Sequence, residues 1–411
     1  YRLLAKRCMV RWYRVASEKD TTSGIVSPMR PRPTHPARPL RGAASLAATL
    51  VAAGILCSLS PAPTQAQPAA DETAADDFRT CLLRLQDQAR ARDLPPAVVD
   101  EVIRGMQQQA RVLELDRRQP EFVLTLGRYL ALRVTDTRIE QGREKLAEHA
   151  DLLASLRERY GVPGHYLVAF WGLETNYGGY LGTMPTLDSL ATLACDPRRS
   201  DYFTGEFLTA LELMERENLT PAQMQGSWAG AMGHTQFMPS AYWQYALDGD
   251  GDERADLWRS ETDALTSAAH FLNRLGWEPD LRWGREVLLP DGFDYLQAGS
   301  GAWRPLADWS ADGLRRTDGR PLPAADVDAM LLVPAGADGP AFLVYRNFEV
   351  IMRWNRSESY AISVGLLADR IAGAGGLNRP PPNDEALRVS EVEAIQATLA
   401  ARGYDPGPAY G

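Results

Sequence analysis

A mostly helical α+β protein is what this sequence predicts, and three observations carry the prediction. Apolar residues recur at spacings of three, four and seven from Phe78 to Tyr160, as in Leu146, Leu152, Leu153, Leu156 and Tyr160. Helix-length patterns return at 186–195, 201–217, 239–247, 263–275 and 357–371. Only between about 285 and 350 do short β-like runs appear, "REVLLP", "AMLLVP" and "AFLVYR", among Gly, Pro and Asp turns. A small sheet-containing lobe set into a helical body follows from that order.

The chain has 411 residues, room for two or three domains. Its first 66 residues hold ten Lys and Arg against Glu18 and Asp20, leaving 34 basic against 51 acidic residues in the remainder. An acidic body of that kind argues against a nucleic-acid partner. The basic beginning has its own explanation. Arg30, Arg32, Arg38 and Arg41 precede "GAASLAATLVAAGILCSLS" and the small-residue stretch "PAPTQA", the order of a secretory signal peptide. Residues 29–66 are assigned to that signal, 1–28 to an extension upstream of Met29, and 67–78 to a linker. An uncleaved anchor is the alternative. Export to the periplasm leaves Cys81 and Cys195 in the mature chain. A bridge between them and two separate buried thiols both fit the sequence.

Helices are expected over 79–160, ended by Gly161-Val162-Pro163. Pro163 then opens a further helix through Tyr166, Leu167, Phe170 and Leu173, with Gly178-Gly179 as its stop. Glu174 therefore falls in a last helical turn. There the helix dipole disfavours a carboxylate, and the apolar neighbours Trp171 and Leu173 disfavour its charged form further. Those are the conditions for a general acid. A solvated Glu on a polar helix face is the plain alternative.

The stretch "GSWAGAMGHTQFMPSAYWQYALDGDGD", residues 226–252, combines glycines, neutral hydrogen-bonding groups (Ser227, Gln236) and aromatic rings (Trp228, Phe237, Tyr242, Trp243, Tyr245). Sugars need both flat apolar surface and neutral polar partners. Most of these rings would serve equally well in a core.

"WGLETNYG", "GSWAGAMGHTQFMPSAYWQYA", the acidic run after it, "FLNRLGW" and "RWNRSESYAISV" stand in the order and at the intervals of the membrane-bound lytic murein transglycosylase B family. The chain resembles that family over about residues 79–372. The resemblance implies a lysozyme-like core at 161–284, a helical lobe at 79–160, a β-containing lobe at 285–350 and a final helix at 351–372. It further implies that Glu174 is the single catalytic acid/base. Tyr129, Ser227, Gln236, Trp354, Asn355 and Tyr360 match positions lining the glycan cleft, with Trp354 where the family often has Tyr.

The implied reaction cleaves the β-1,4 bond between N-acetylmuramic acid and N-acetylglucosamine without water. One carboxylate suffices, because the substrate's N-acetyl group and 6-hydroxyl replace the second acid of ordinary glycosidases. No cofactor is required, and the expected partner of this monomer is the glycan strand of peptidoglycan. A hydrolytic muramidase and a non-catalytic wall-binding scaffold are the alternatives.

Asp248, Asp250, Asp252, the carbonyl of Arg254 and Asp256 occupy positions 1, 3, 5, 7 and 9 of an EF-hand-like loop. The pattern then departs, with Glu253 in place of Gly and Arg259 in place of the closing Glu. Family members draw their last ligand from further on, which here implies Asp263 or Glu261 and a structural calcium ion; a solvated acidic turn is the alternative. After a linker at 373–386, residues 387–411 resemble the beginning of a type 1 peptidoglycan-binding module.

Overall fold

The computed structural model describes residues 69–92, 94–117, 124–298, 301–385 and 387–403. The extension and signal assigned to 1–66 lie outside the described residues. The amino-terminal lobe comprises α1 (Ala69–Arg90), α2 (Pro96–Gly105), α3 (Ala110–Asp116), α4 (Leu126–Arg133), α5 (Asp136–Glu148) and α6 (Ala150–Tyr160). The centre follows with α7 (Gly164–Thr175), β1 (Met184–Pro185), α8 (Thr186–Ala194), α9 (Ser200–Arg216), β2 (Gln225–Gly226), α10 (Pro239–Tyr245) and α11 (Glu261–Arg274). Next come β3 (Gly284–Leu288), β4 (Arg304–Pro305), α12 (Leu306–Ala311), β5 (Arg315–Arg316), β6 (Asp328–Leu332) and β7 (Ala341–Val344), then α13 (Arg346–Trp354), α14 (Glu358–Ile371) and α15 (Val389–Ala401). This is the mostly helical α+β architecture that the patterning predicts.

Local chemistry explains the boundaries. Thr125, Thr135, Ser260 and Ser357 each accept a backbone N–H at the start of α4, α5, α11 and α14. Gly161, left-handed at φ 76°, ends α6, and Pro163 precedes α7. Three expectations are revised. Helix α1 begins at Ala69, inside the stretch assigned to a linker, because "AADETAAD" is rich in helix formers. The helix read at 357–371 stands as α14, but the final helix implied over 351–372 is broken at Asn355-Arg356-Ser357, its first part belonging to α13, which starts at Arg346. The described part of the assigned linker, 373–385, has neither helix nor strand and is docked on the body. Glu286 accepts from the Asn378 and Arg379 backbone N–H groups at 2.8 Å each.

Helix α7 is the hub. Leu167, Val168, Ala169, Phe170 and Trp171 are all buried, so it shows no polar face, as befits a helix packed on every side. Around it lies one core with α5, α6, α11, α13 and α14. A second core joins α1 and α2 to α8, α9 and α10 through Leu85, Leu190, Phe207 and Phe237. Burial of each such side chain contributes about 1.5–3 kcal/mol. A disulfide between Cys81 and Cys195 ties α1 to the end of α8, deciding between the two sequence readings. The third core underlies a five-stranded antiparallel sheet of order β4-β6-β7-β3-β5, which holds Trp309, Leu331 and Leu343. Among the described residues no helix is long and apolar enough to cross a membrane.

Candidate active site

Glu174 stands in the last turn of α7, as its spacing predicts, but the helix stops earlier than the glycine pair suggests. Asn176 and Tyr177 both adopt left-handed conformations, at φ 52° and 59°. Such positions are costly for residues with side chains and persist only where the surroundings hold them. The holding is visible. The Tyr177 hydroxyl donates to the Arg138 carbonyl at 2.6 Å, and Thr175 Oγ1 donates to the His234 carbonyl at 2.8 Å. Tyr177 lies within "TNYGG", where an aromatic residue in a left-handed turn leaves no periodic signature in the sequence.

Two side chains converge on the carboxylate. Trp354 Nε1 donates to Glu174 Oε1 at 2.9 Å, and the Tyr360 hydroxyl donates to the same oxygen at 2.5 Å. Trp354 ends α13 and Tyr360 lies in the first turn of α14, so the break between those helices delivers both donors. Phe170 stacks on Trp354 at 4.5 Å between centroids and fixes the indole plane. Burial, then the charge of Glu174, push the Tyr360 phenol well above its ordinary range, so it stays a donor. Tyr129 and Arg133, one helical turn apart on α4, also act on that phenol, which places Tyr129 in the same cluster.

The segment around Gly226 is held to the turn after α7 backbone against backbone. Strand β1 pairs with β2, Met184 opposite Gly226. Gly182 is needed there, since a Cβ would sit 2.1 Å from the Gly226 carbonyl oxygen. Gln236, left-handed at φ 50°, reaches across with Nε2 donating to the Leu181 carbonyl at 3.1 Å and the Gly233 carbonyl at 3.0 Å. Ser227 Oγ accepts from the Ala231 N–H at 3.1 Å, and Asn355 Oδ1 accepts from the Ser357 N–H at 3.1 Å. Those last two side chains brace their own loops, whereas Trp354 and Tyr360 engage Glu174 itself.

Behind the site, His234 Nδ1 accepts from Trp171 Nε1 at 3.1 Å, and burial holds this imidazole below its usual pKa, hence neutral. The Lys145 ammonium lies 5.1 Å from the centre of the Trp171 ring, and His149 pairs with Glu261 at 2.9 Å. This support came from residues too scattered for sequence spacing to reveal.

The acidic loop is joined to the same support, because the His234 N–H donates to the Leu257 carbonyl at 2.9 Å. Asp248, Asp250 and Asp252 bring carboxylate oxygens within 4.8 Å of one another, a donor set that suits a hard cation such as calcium. Asp256 instead accepts from the Trp258 and Arg259 N–H groups at 3.1 Å. Asp263, fully buried, clasps the loop from within, accepting from Gly249 and Asp256 N–H at 2.8 Å and from Asp250 N–H at 3.3 Å.

A family model described as Transglycosylase SLT domain matches residues 77–369. The membrane-bound lytic murein transglycosylase B of Escherichia coli (strain K12) is 34% identical over 251 residues, 60% of this chain and 67% of that one. SltB3 from Pseudomonas aeruginosa, solved in complex with NAG-NAM-pentapeptide, superposes with a TM-score of 0.77 at 41% identity, over 81% of this chain and 90% of that chain. The Escherichia coli lytic transglycosylase SLT35, solved in complex with calcium, gives 0.61 at 29% identity, over 71% and 92%. The helical hub, the donor-held Glu174 and these likenesses agree: the chain belongs to the transglycosylase SLT domain family and is a peptidoglycan lytic transglycosylase.

Proposed function

We propose that Glu174 alone serves as acid and base in a cleavage that excludes water. It protonates the glycosidic oxygen between N-acetylmuramic acid and N-acetylglucosamine, then accepts the proton of the muramic 6-hydroxyl as that oxygen closes on C1. The product is a 1,6-anhydromuramoyl end. The observation that carries this reading is the pair of donors on Oε1, which fixes the carboxyl group at the mouth of a buried helix. SltB3 has been solved with NAG-anhNAM-pentapeptide, the product type expected here.

Tyr129, Ser227, Gln236, Trp354, Asn355 and Tyr360 line the glycan cleft in this reading. The protein acts as a monomer in the periplasm after export, its catalytic region spanning 79–372. Calcium, where bound, is held by Asp248, Asp250 and Asp252 and stiffens the loop behind His234. Mass spectrometry of digested sacculi tests the chemistry. Anhydro ends absent from the Glu174→Gln digest are expected; products heavier by one water would favour a hydrolytic muramidase, and sacculus binding without soluble products a scaffold.

A further inference from the structure

The turn that follows Glu174 carries a side chain the proposed mechanism does not use. Tyr180 is 63% exposed, more than any other large hydrophobic side chain among the described residues. Its ring enters no hydrogen bond, ion pair or ring contact among them. The backbone beneath it is fixed all the same. Asn176 and Tyr177 are left-handed, and a Cβ at Gly178 would sit 2.4 Å from the His234 ring, so the turn is wedged against its support. It brings the Tyr180 N–H back to the Thr175 carbonyl at 3.0 Å, directly beside Glu174 in the chain.

Leu181 and Gly182, which follow, are tied to other positions assigned to the cleft. The Leu181 carbonyl accepts from Gln236 Nε2 at 3.1 Å. Gly182 lies so close to the peptide between Gly226 and Ser227 that a Cβ there would be 2.7 Å from the Ser227 nitrogen. Tyr180 therefore stands between the acid and the Ser227–Gln236 pair, and a glycan strand reaching from one to the other passes it. An exposed ring buries little surface and does little for folding. Its chemistry suits a sugar, because the C–H face of a pyranose packs on the negative face of an aromatic ring. A backbone already held in place also lowers the entropy lost when the contact forms.

We propose that the Tyr180 ring stacks on a sugar next to the muramic ring at Glu174 and sets how tightly the strand is held. The inference rests on the glycan-strand reading above and adds to it a substrate contact from the turn after α7. Full-length protein is tested in two forms. In the active enzyme on purified glycan strands, Tyr180→Ala should raise KM about ten-fold and leave kcat within about two-fold, with the melting temperature unchanged. Tyr180→Phe should match wild type, since the ring and not the hydroxyl makes the contact. In a Glu174→Gln background, calorimetric titration with a tetrasaccharide of alternating N-acetylglucosamine and N-acetylmuramic acid should show the same loss for Tyr180→Ala and none for Tyr180→Phe. Unchanged KM and Kd in Tyr180→Ala, a loss confined to kcat, or an equal loss in Tyr180→Phe would each overturn the proposal. Absence of anhydro products from wild type would instead overturn the reading beneath it.

Discussion

Tyr360 and Glu174 stand 186 positions apart in sequence and meet at 2.5 Å, phenol to carboxylate. One hydroxyl thereby orients the group proposed to carry both proton transfers. Tyr360→Phe removes the donor while keeping the ring, so kcat should fall about 10²-fold with little change in melting temperature. Glu174→Gln should abolish turnover. Steady-state kinetics on purified glycan strands checks both, and a fully active Tyr360→Phe enzyme would show the contact to be incidental.

Trp354 supplies the second donor and also packs on Phe170, Phe237 and Phe271. The two roles separate by substitution. Trp354→Phe, which keeps apolar volume but lacks the N–H, should cost activity about ten-fold and stability less than about 2 kcal/mol. Trp354→Ala should cost about 3–5 kcal/mol of stability. Denaturant melts of the two variants distinguish packing from hydrogen bonding.

Asp263 satisfies three loop N–H groups from a fully buried position. Asp263→Asn turns one acceptor into a donor facing those N–H groups, and a loss of about 2–4 kcal/mol is expected. If Asp248, Asp250 and Asp252 hold calcium, chelation should lower the melting temperature of wild type and have no effect on a triple Asn variant. No shift in wild type would remove calcium from the account.

The Cys81–Cys195 bridge closes a stretch with a sequence separation of 114. Loop entropy of that size is worth about 2–5 kcal/mol. The Cys81→Ala/Cys195→Ala protein should melt lower than wild type by the corresponding amount, and reductant should affect only wild type. Unchanged melting on reduction would mean that α1 is held by packing alone.

Glu358 opens α14, and burial pushes its carboxyl from 4.5 up to about 7. Between those values the folded state keeps a proton that the unfolded chain has lost. Stability therefore falls as pH rises through that window and stays reduced above it. The helix N-terminus favours the anion and moderates the effect. Glu358→Gln should be more stable than wild type by about 1–3 kcal/mol at about pH 8, and no more stable at about pH 4. Thermal unfolding at the two pH values decides; a gain independent of pH would refute the cause.

What the sequence determined by itself is local: the last-turn placement of Glu174 after Pro163, the helix-length patterns at 263–275 and 357–371, the β-like runs, and the ordered motifs that mark the family. These are legible because spacing, capping and turn chemistry act over a few residues. Tertiary structure alone decided which donors reach Glu174, since the meeting of Trp354 and Tyr360 with Oε1 depends on α13 and α14 packing on α7. It also turned Asp263 inward, put two left-handed residues after Thr175, chose the bridge for Cys81 and Cys195, and laid the 374–381 strap on Glu286. Each of those outcomes balances a desolvation or strain cost against contacts from distant segments, and no local pattern carries that balance.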